Sequence, residues 1–296
     1  MAALVSGLLV LIVLVLIAVS TTQEASSWFS TVGLGGVLST TWNPAANQFG
    51  AVPFIYGTAV TSVIALIIAV PVSVGMALAL TEVIPPKWSR PVVYVVDLLA
   101  VVPSVVWGLW GIIVFGPWIE KIYSDIAGGV NNVPVFGFFF GKPTSGASFF
   151  TAGIILAIMI TPIVTSLSRE VIATVPAIDR EGAYALGATR LEMIRGAVWP
   201  HSQAGVVGAI LLGLGRAMGE TIAAALVIGS SATITSRLFA PGYNMPAVIA
   251  NQFGEATGVF RAGLIGLGVL LFLFTIIVNV IAKAIVERSA RRSRGA

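Results

Sequence analysis

The sequence contains no cysteine, a single histidine and few charges: 9% of its 296 residues are Asp, Glu, Lys or Arg. Without cysteine a disulfide framework is excluded. The lone histidine, His201, has no second imidazole or carboxylate cluster near it in the sequence, which speaks against a metal site. No Gly-Lys-Ser or Gly-Lys-Thr occurs, so there is no P-loop and the chain cannot hydrolyse ATP alone. The sequence pI of about 9.7 would suit a nucleic-acid partner. The basic residues, however, are scattered through loops beside apolar runs, and that pattern reads as membrane topology and not as nucleic-acid binding.

What is present is apolar. Hydrophobic residues make up 57% of the chain and the mean hydropathy is +1.00, which places the chain among membrane proteins. A spanning helix needs about 20 apolar residues, and six stretches qualify: about Ala3–Ala18, Ile55–Leu80, Val92–Phe115, Phe149–Leu167, Gln203–Ile228 and Ala262–Val286. The expected fold is therefore all-α and polytopic, with the whole chain, 1–296, forming one transmembrane domain. Ala18-Val19-Ser20 looks like a signal-peptide cleavage site. No basic residue precedes the run, however, and a retained helix is expected.

Lys87, Arg90, Arg169, Arg180, Arg190, Arg195, Lys283 and the four arginines after it fall in the second and fourth loops and the C-terminal end. Only Lys121, Lys142, Arg237 and Arg261 fall in the others. That asymmetry predicts a multi-pass protein of the cell membrane with both termini cytoplasmic. Thr21–Pro53, Gly116–Ser148 and Ser230–Arg261 then become outside loops with short helices and turns, and Met245–Ala256 has a helical pattern that re-enters the membrane edge. Pro71, Pro103 and Pro162 lie inside predicted spans, as kinks or as hinges.

Between the fourth and fifth spans, residues 169–200 carry a polar stretch, Glu181–Pro200, that must face water. Ala183, Ala185 and Leu186 share one helical face before Gly187; Leu191, Ile194 and Val198 share another after it. Gly187 suits a sharp turn between two short helices, and Pro200 is expected to stop the second of them and start the next element. The result is a helix–turn–helix knob on a membrane domain.

Asp97, Arg216 and Glu220 are ionisable residues within predicted spans, each costing about 2.5–3.5 kcal/mol on insertion scales if it met lipid. Arg216 and Glu220 stand at i,i+4, so on one continuous helix their heads would meet. Arg216 lies about 14 residues, or ~21 Å, into its span. A guanidinium presents a planar fork that matches two oxygens of a tetrahedral anion. Glu220 is expected to hold and release it, with Thr221 and Ser104 as nearby hydroxyl donors. The alternative is a neutralised pair that merely tolerates burial. Asp97 reads as an interhelical partner, since a carboxylate repels an anion. Gly213, Gly215 and Gly219 suggest close helix packing more than contact with substrate.

Glu181, Ala183, Gly187 and Pro200 fall at the spacing E-x-A-x3-G-x12-P, which resembles the EAA signature of ATP-binding-cassette (ABC) importer permeases. Gly182 replaces the usual alanine, and Ala197 and Trp199 replace the usual isoleucine and leucine. Several further runs resemble the phosphate-specific subgroup: Gly215–Thr221, Asn43-Pro44 with Gln48–Gly50, Pro53–Gly57, Pro103–Gly108 and Ile249–Ala256. They are closer to the PstC-like permeases of that subgroup than to their PstA-like partners, because Ile222-Ala223 follows Gly-Glu-Thr where the partners more often have Ala-Pro. The resemblance implies the type I importer permease (MetI-like) fold and translocation of inorganic phosphate by alternating access. It implies a coupling role for Glu181, Ala183, Gly187 and Pro200 within residues 169–200. It also implies a second, PstA-like permease, two PstB-like ATPase subunits that bind ATP and Mg, and an external PstS-like phosphate-binding protein, with no cofactor and no catalysis in this chain. Sulfate or molybdate transport, a secondary transporter using the same charges, and a membrane scaffold or signalling protein are the alternative readings.

Overall fold

The computed structural model describes residues 2–130, 138–141 and 145–294. Lys142 of the topology argument lies outside them. Among the described residues six helices are long and apolar enough to cross a membrane. Their boundaries differ from the expected ones in ways the backbone explains.

The first helix, α1 (Ala2–Val37), is longer than its apolar run and bends at Gly33, where φ is +66°. The expected outside loop from Thr21 is therefore helical as far as Val37. Its polar residues coincide with the stretch that packs, Ala25 and Trp28 being fully buried. A hairpin of β1 (Trp42–Asn43) and β2 (Gln48–Phe49) follows, closed by Asn47 at φ +53°. Helix α2 (Val52–Leu78) continues through a π-helical turn, Ala79–Val83, and ends at Ile84, whose extended backbone suits the residue before Pro85. Helix α3 (Pro86–Val101) starts at once, with Ser89 Oγ donating to Leu80 O at 2.8 Å across the turn.

The expected third span is broken. Val102 and Pro103 are extended (ψ 125° and 139°), so Pro103 separates two helices instead of kinking one. The crossing segment is α4 (Ser104–Trp110), a π turn at Gly111–Phe115, and α5 (Gly116–Val130). The loop expected from Gly116 is thus helical as far as Val130. Helix α6 (Phe149–Ala173) is capped by Ser148, whose Oγ accepts from Thr151 N at 3.1 Å. Other amides at this end pair with returning chain: Ser148, Phe149 and Phe150 donate to Val227, Ala240 and Leu238 at 3.0–3.1 Å. The helix end therefore enters the membrane with its donors satisfied.

After α6 come α7 (Ala177–Ala185) and α8 (Arg190–Met193), then a π turn at Ile194–Val198 that leads into α9 (Trp199–Gly219). Pro200 does not stop this helix. It does stand at the start of the next element, in the first turn of α9, where the wider π turn before it tolerates a residue without an N–H. The chain finishes with α10 (Ile222–Val227), α11 (Met245–Gln252) and α12 (Gly258–Arg294). Asn244 caps α11, Oδ1 accepting from Ala247 N at 3.1 Å, so the helical pattern read in Met245–Ala256 is present as far as Gln252.

α2, α6 and α9 form the centre. Gly153 of α6 closes on Ile64 of α2, and Gly205 and Gly213 of α9 close on Val171 and Val164 of α6, leaving no room for a methyl at these contacts. Gly215 and Gly219 face open space, so the packing expectation holds only for Gly213 of the three. At the hairpin end, Trp42 packs edge-on to Phe49, Phe54 and Phe260, and its Nε1 donates to Gln252 Oε1 at 3.1 Å. The family-like runs near Asn43 and near Ile249 therefore meet in space.

Trp28 docks α1 on α12 by lying across Gly263 and Gly266. A Gly266→Val change should displace that ring at a cost on the order of 1–3 kcal/mol. The expected outcome is a lower melting temperature of the detergent-solubilised protein. Gly268→Val, where nothing lies within 4 Å, should leave it unchanged.

Candidate translocation and coupling sites

The helix expected to run unbroken past Arg216 and Glu220 ends at Gly219. Glu220 is extended (φ −69°, ψ 125°), and α10 resumes at Ile222. The i,i+4 relation therefore does not operate: Arg216 is exposed in the last turn of α9, Glu220 is 9% exposed, and no ion pair between them occurs among the described residues. At the break Thr221 Oγ1 donates to Gly219 O at 3.2 Å, giving a partner to a carbonyl at the end of α9. Non-helical backbone at membrane depth is tolerated only where protein or water covers it. Arg216, near the carbonyl end of α9, also complements that helix dipole.

Ser104 opens α4 directly after the other break, at Val102–Pro103. Gly108 of α4 meets Ala223 and Leu226, and Gly111 meets Val227. α4 and α10 thus run side by side in the same direction, each starting just after a break in the helical backbone. Of the four residues expected on the pathway, Ser104 opens α4, and Arg216, Glu220 and Thr221 lie around the break that precedes α10. Asp97 lies apart from this group in its contacts. Its Oδ1 accepts from Ser166 Oγ of α6 at 3.1 Å, the interhelical role read from its charge.

The knob has the expected turn. Gly187 sits at φ +82°, its N–H donating to Tyr184 O at 2.9 Å while Ala188 N reaches Ala183 O at 3.1 Å. Thr189 and Glu192 then form a reciprocal capping box that starts α8. Glu181 is exposed on α7, Ala183 is half-buried, and Pro200 lies within the continuous helix beyond the knob. The apolar faces divide differently from the expectation. Leu186 is 90% exposed and Leu191 55% exposed, whereas Met193 and Val198 are buried with Ile172 and Val206. Residues 169–173 belong to the last turns of α6 and not to the knob.

Arg180 enters the sequence reading only as a topology charge, yet it is a structural junction. From α7 it pairs with Glu82 of the π turn ending α2, Nη2 to Oε1 at 2.9 Å and Nε to Oε1 at 3.2 Å. It also donates to Ile172 O at 3.0 Å and to Val175 O at the end of α6. Sequence separation hides this contact, because Glu82 precedes Arg180 by 98 residues. No group of three metal-ligating side chains occurs among the described residues.

Residues 69–294 match the family model described as "Binding-protein-dependent transport system inner membrane component". The chain is 41% identical to the phosphate transport system permease protein PstC of Pasteurella multocida (strain Pm70), over 96% of this chain and 89% of that protein. It is 43% identical to PstC of Xylella fastidiosa (strain Temecula1), over 96% and 88%. Two solved structures share the fold at low identity. One is a bacterial ABC transporter involved in import of the acidic polysaccharide alginate, with TM-score 0.54 and 16% identity over 90% of this chain and 91% of that one. The other is an inward-facing MetNI methionine ABC transporter, with TM-score 0.52 and 18% identity over 79% and 94%. The chain belongs to the binding-protein-dependent transport system inner membrane components and, within them, resembles the PstC permeases along nearly its whole length.

Proposed function

We propose that the chain is a permease subunit of an ATP-driven importer that passes inorganic phosphate across the cell membrane by alternating access. Relatives named as phosphate transport permeases, at 41% and 43% identity over nearly the full chain, support the substrate. The observation that carries the mechanism is the break at Gly219–Thr221, where Arg216 is exposed in the last turn of an apolar helix, four residues before a buried carboxylate. In this reading the guanidinium receives the anion transiently, Thr221 and Ser104 offer hydroxyls, and Glu220 keeps the local charge from holding the anion too tightly. The partners are a second permease, two ATPase subunits that bind ATP and Mg, and an external phosphate-binding protein. The knob is cytoplasmic, both termini lie on its side, and the chain, a single transmembrane domain, does no hydrolysis itself.

The knob's solvent-facing apolar side chains, Ile178, Tyr184 and Leu186, fit docking onto the ATPase. ATP-driven closure of the ATPases would move the knob, and with it α6 and α9, whose ends flank it. The test is labelled-phosphate uptake into vesicles carrying the whole assembly, with sulfate and molybdate as competitors. Competition by sulfate as strong as by unlabelled phosphate would assign the broader oxyanion reading.

Arg216→Gln should lower uptake at least about tenfold, as loss of a charge-assisted contact implies, with assembly intact. Undiminished uptake removes Arg216 from the pathway. At the knob, Gly187→Ala should cost roughly 1–2 kcal/mol because its backbone is left-handed. Gly182→Ala, mid-helix with open space around it, should be neutral or stabilising by about 0.5–1 kcal/mol. The amount of ATPase that co-purifies with each variant measures the contrast, the first falling and the second holding.

A further inference from the structure

We propose that Arg180 is a positioning residue that joins the coupling knob to the spanning helices α2 and α6, so that knob movement is delivered to both at once. This rests on the importer reading above and adds to it a residue outside the EAA-like spacing. Helix α7 buries none of its side chains; Ala183 reaches the inner apolar cluster only partly. Apolar packing therefore holds α7 weakly, unlike the segment after it, where Met193 and Val198 are buried. Arg180 supplies the missing attachment, with its guanidinium donating to Glu82 and to the carbonyls of Ile172 and Val175.

The geometry suits transmission of force. The π turn at Ala79–Val83 widens the end of α2 where Glu82 meets the guanidinium, and Glu82 is only 6% exposed there. Ile172 lies in the last turn of α6 and Val175 two residues beyond its end, where the helix dipole favours a cation. Arg180 is 22% exposed, so water competes weakly for the pair. A planar fork bonded on several sides resists rotation, whereas a single-point lysine ammonium does not. The one residue thus ties its own helix α7 to the adjoining end of α6 and to the end of α2, 98 residues earlier, both of them central helices of the bundle.

The assay uses the reconstituted assembly and reads phosphate uptake and ATP hydrolysis in the same vesicles. For Arg180→Gln, uptake per ATP hydrolysed should fall about tenfold, within the usual span of coupling energies, while hydrolysis and the amount of assembled complex stay near wild type. Glu82→Gln, which keeps an acceptor but loses the charge, should fall less, and Arg180→Lys should restore only part of the ratio. If the two activities decline together with the amount of complex and their ratio holds in all three variants, the pair is only a fold contact and the inference is overturned. Absence of ATP-driven uptake in the wild-type assembly would instead overturn the importer reading.

Discussion

A peptide N–H or C=O left unpaired in hydrocarbon costs several kcal/mol, and this constraint shapes every irregularity in the bundle. Prolines are where the chain meets it. Each of the three π turns among the described residues stops just short of a proline: Ala79–Val83 before Pro85, Gly111–Phe115 before Pro117, Ile194–Val198 before Pro200. At these turns Ile84, Gly116 and Trp199 donate back to Ala79, Gly111 and Ile194. The backbone stays paired up to the residue before the ring, and the last two helices continue through it. The first stops because a second proline follows and starts α3.

Arg180 and Arg216 show the same rule applied to charge. Both sit near carbonyl ends of helices, where unpaired oxygens accumulate. Arg180 is saturated by those oxygens and by a carboxylate, and it fixes structure. Arg216 carries no such partners among the described residues, so its donors are left for something outside them. The contrast separates the two residues more clearly than their depth does.

The six spans and the turn at Gly187 are legible in the sequence because each rests on local properties: apolar length, and a residue without Cβ where φ is positive. The differences have nonlocal or backbone causes. Helix α1 outruns its apolar stretch because Ala25 and Trp28 pack into a groove on α12, at the other end of the chain. The break at Gly219 is hidden by an apolar run that continues to Ile228, since hydropathy cannot distinguish one helix from two. Pro200 looks like a stop because the compensating π turn leaves no mark in composition. Of the residues expected on the pathway, Arg216, Glu220 and Thr221 flank the break before α10 and Ser104 opens α4 beside it, while Asp97 bonds to Ser166 of α6 as the sign of its charge suggests. Arg180 is legible only by asking which acidic residue at an inner helix end would neutralise it.

An exposed guanidinium at membrane depth cannot rest against lipid without a cost of several kcal/mol. Around Arg216 the same chain exposes Leu212 and Ile222, and α4, beside the break, exposes Val105, Val106 and Leu109. That apolar frame would suit lipid if the charge were absent. With the charge present, the frame requires a cover that is apolar at its margin and wet at its centre, which a bilayer does not supply. In the proposed importer, a second permease closing on α4 and α9 would meet both requirements, sealing the aliphatic rim and leaving a polar passage beside Gly219. The anion path of that importer would therefore be shared: this chain would contribute one wall, carrying Arg216, and the opposite wall would come from the second permease.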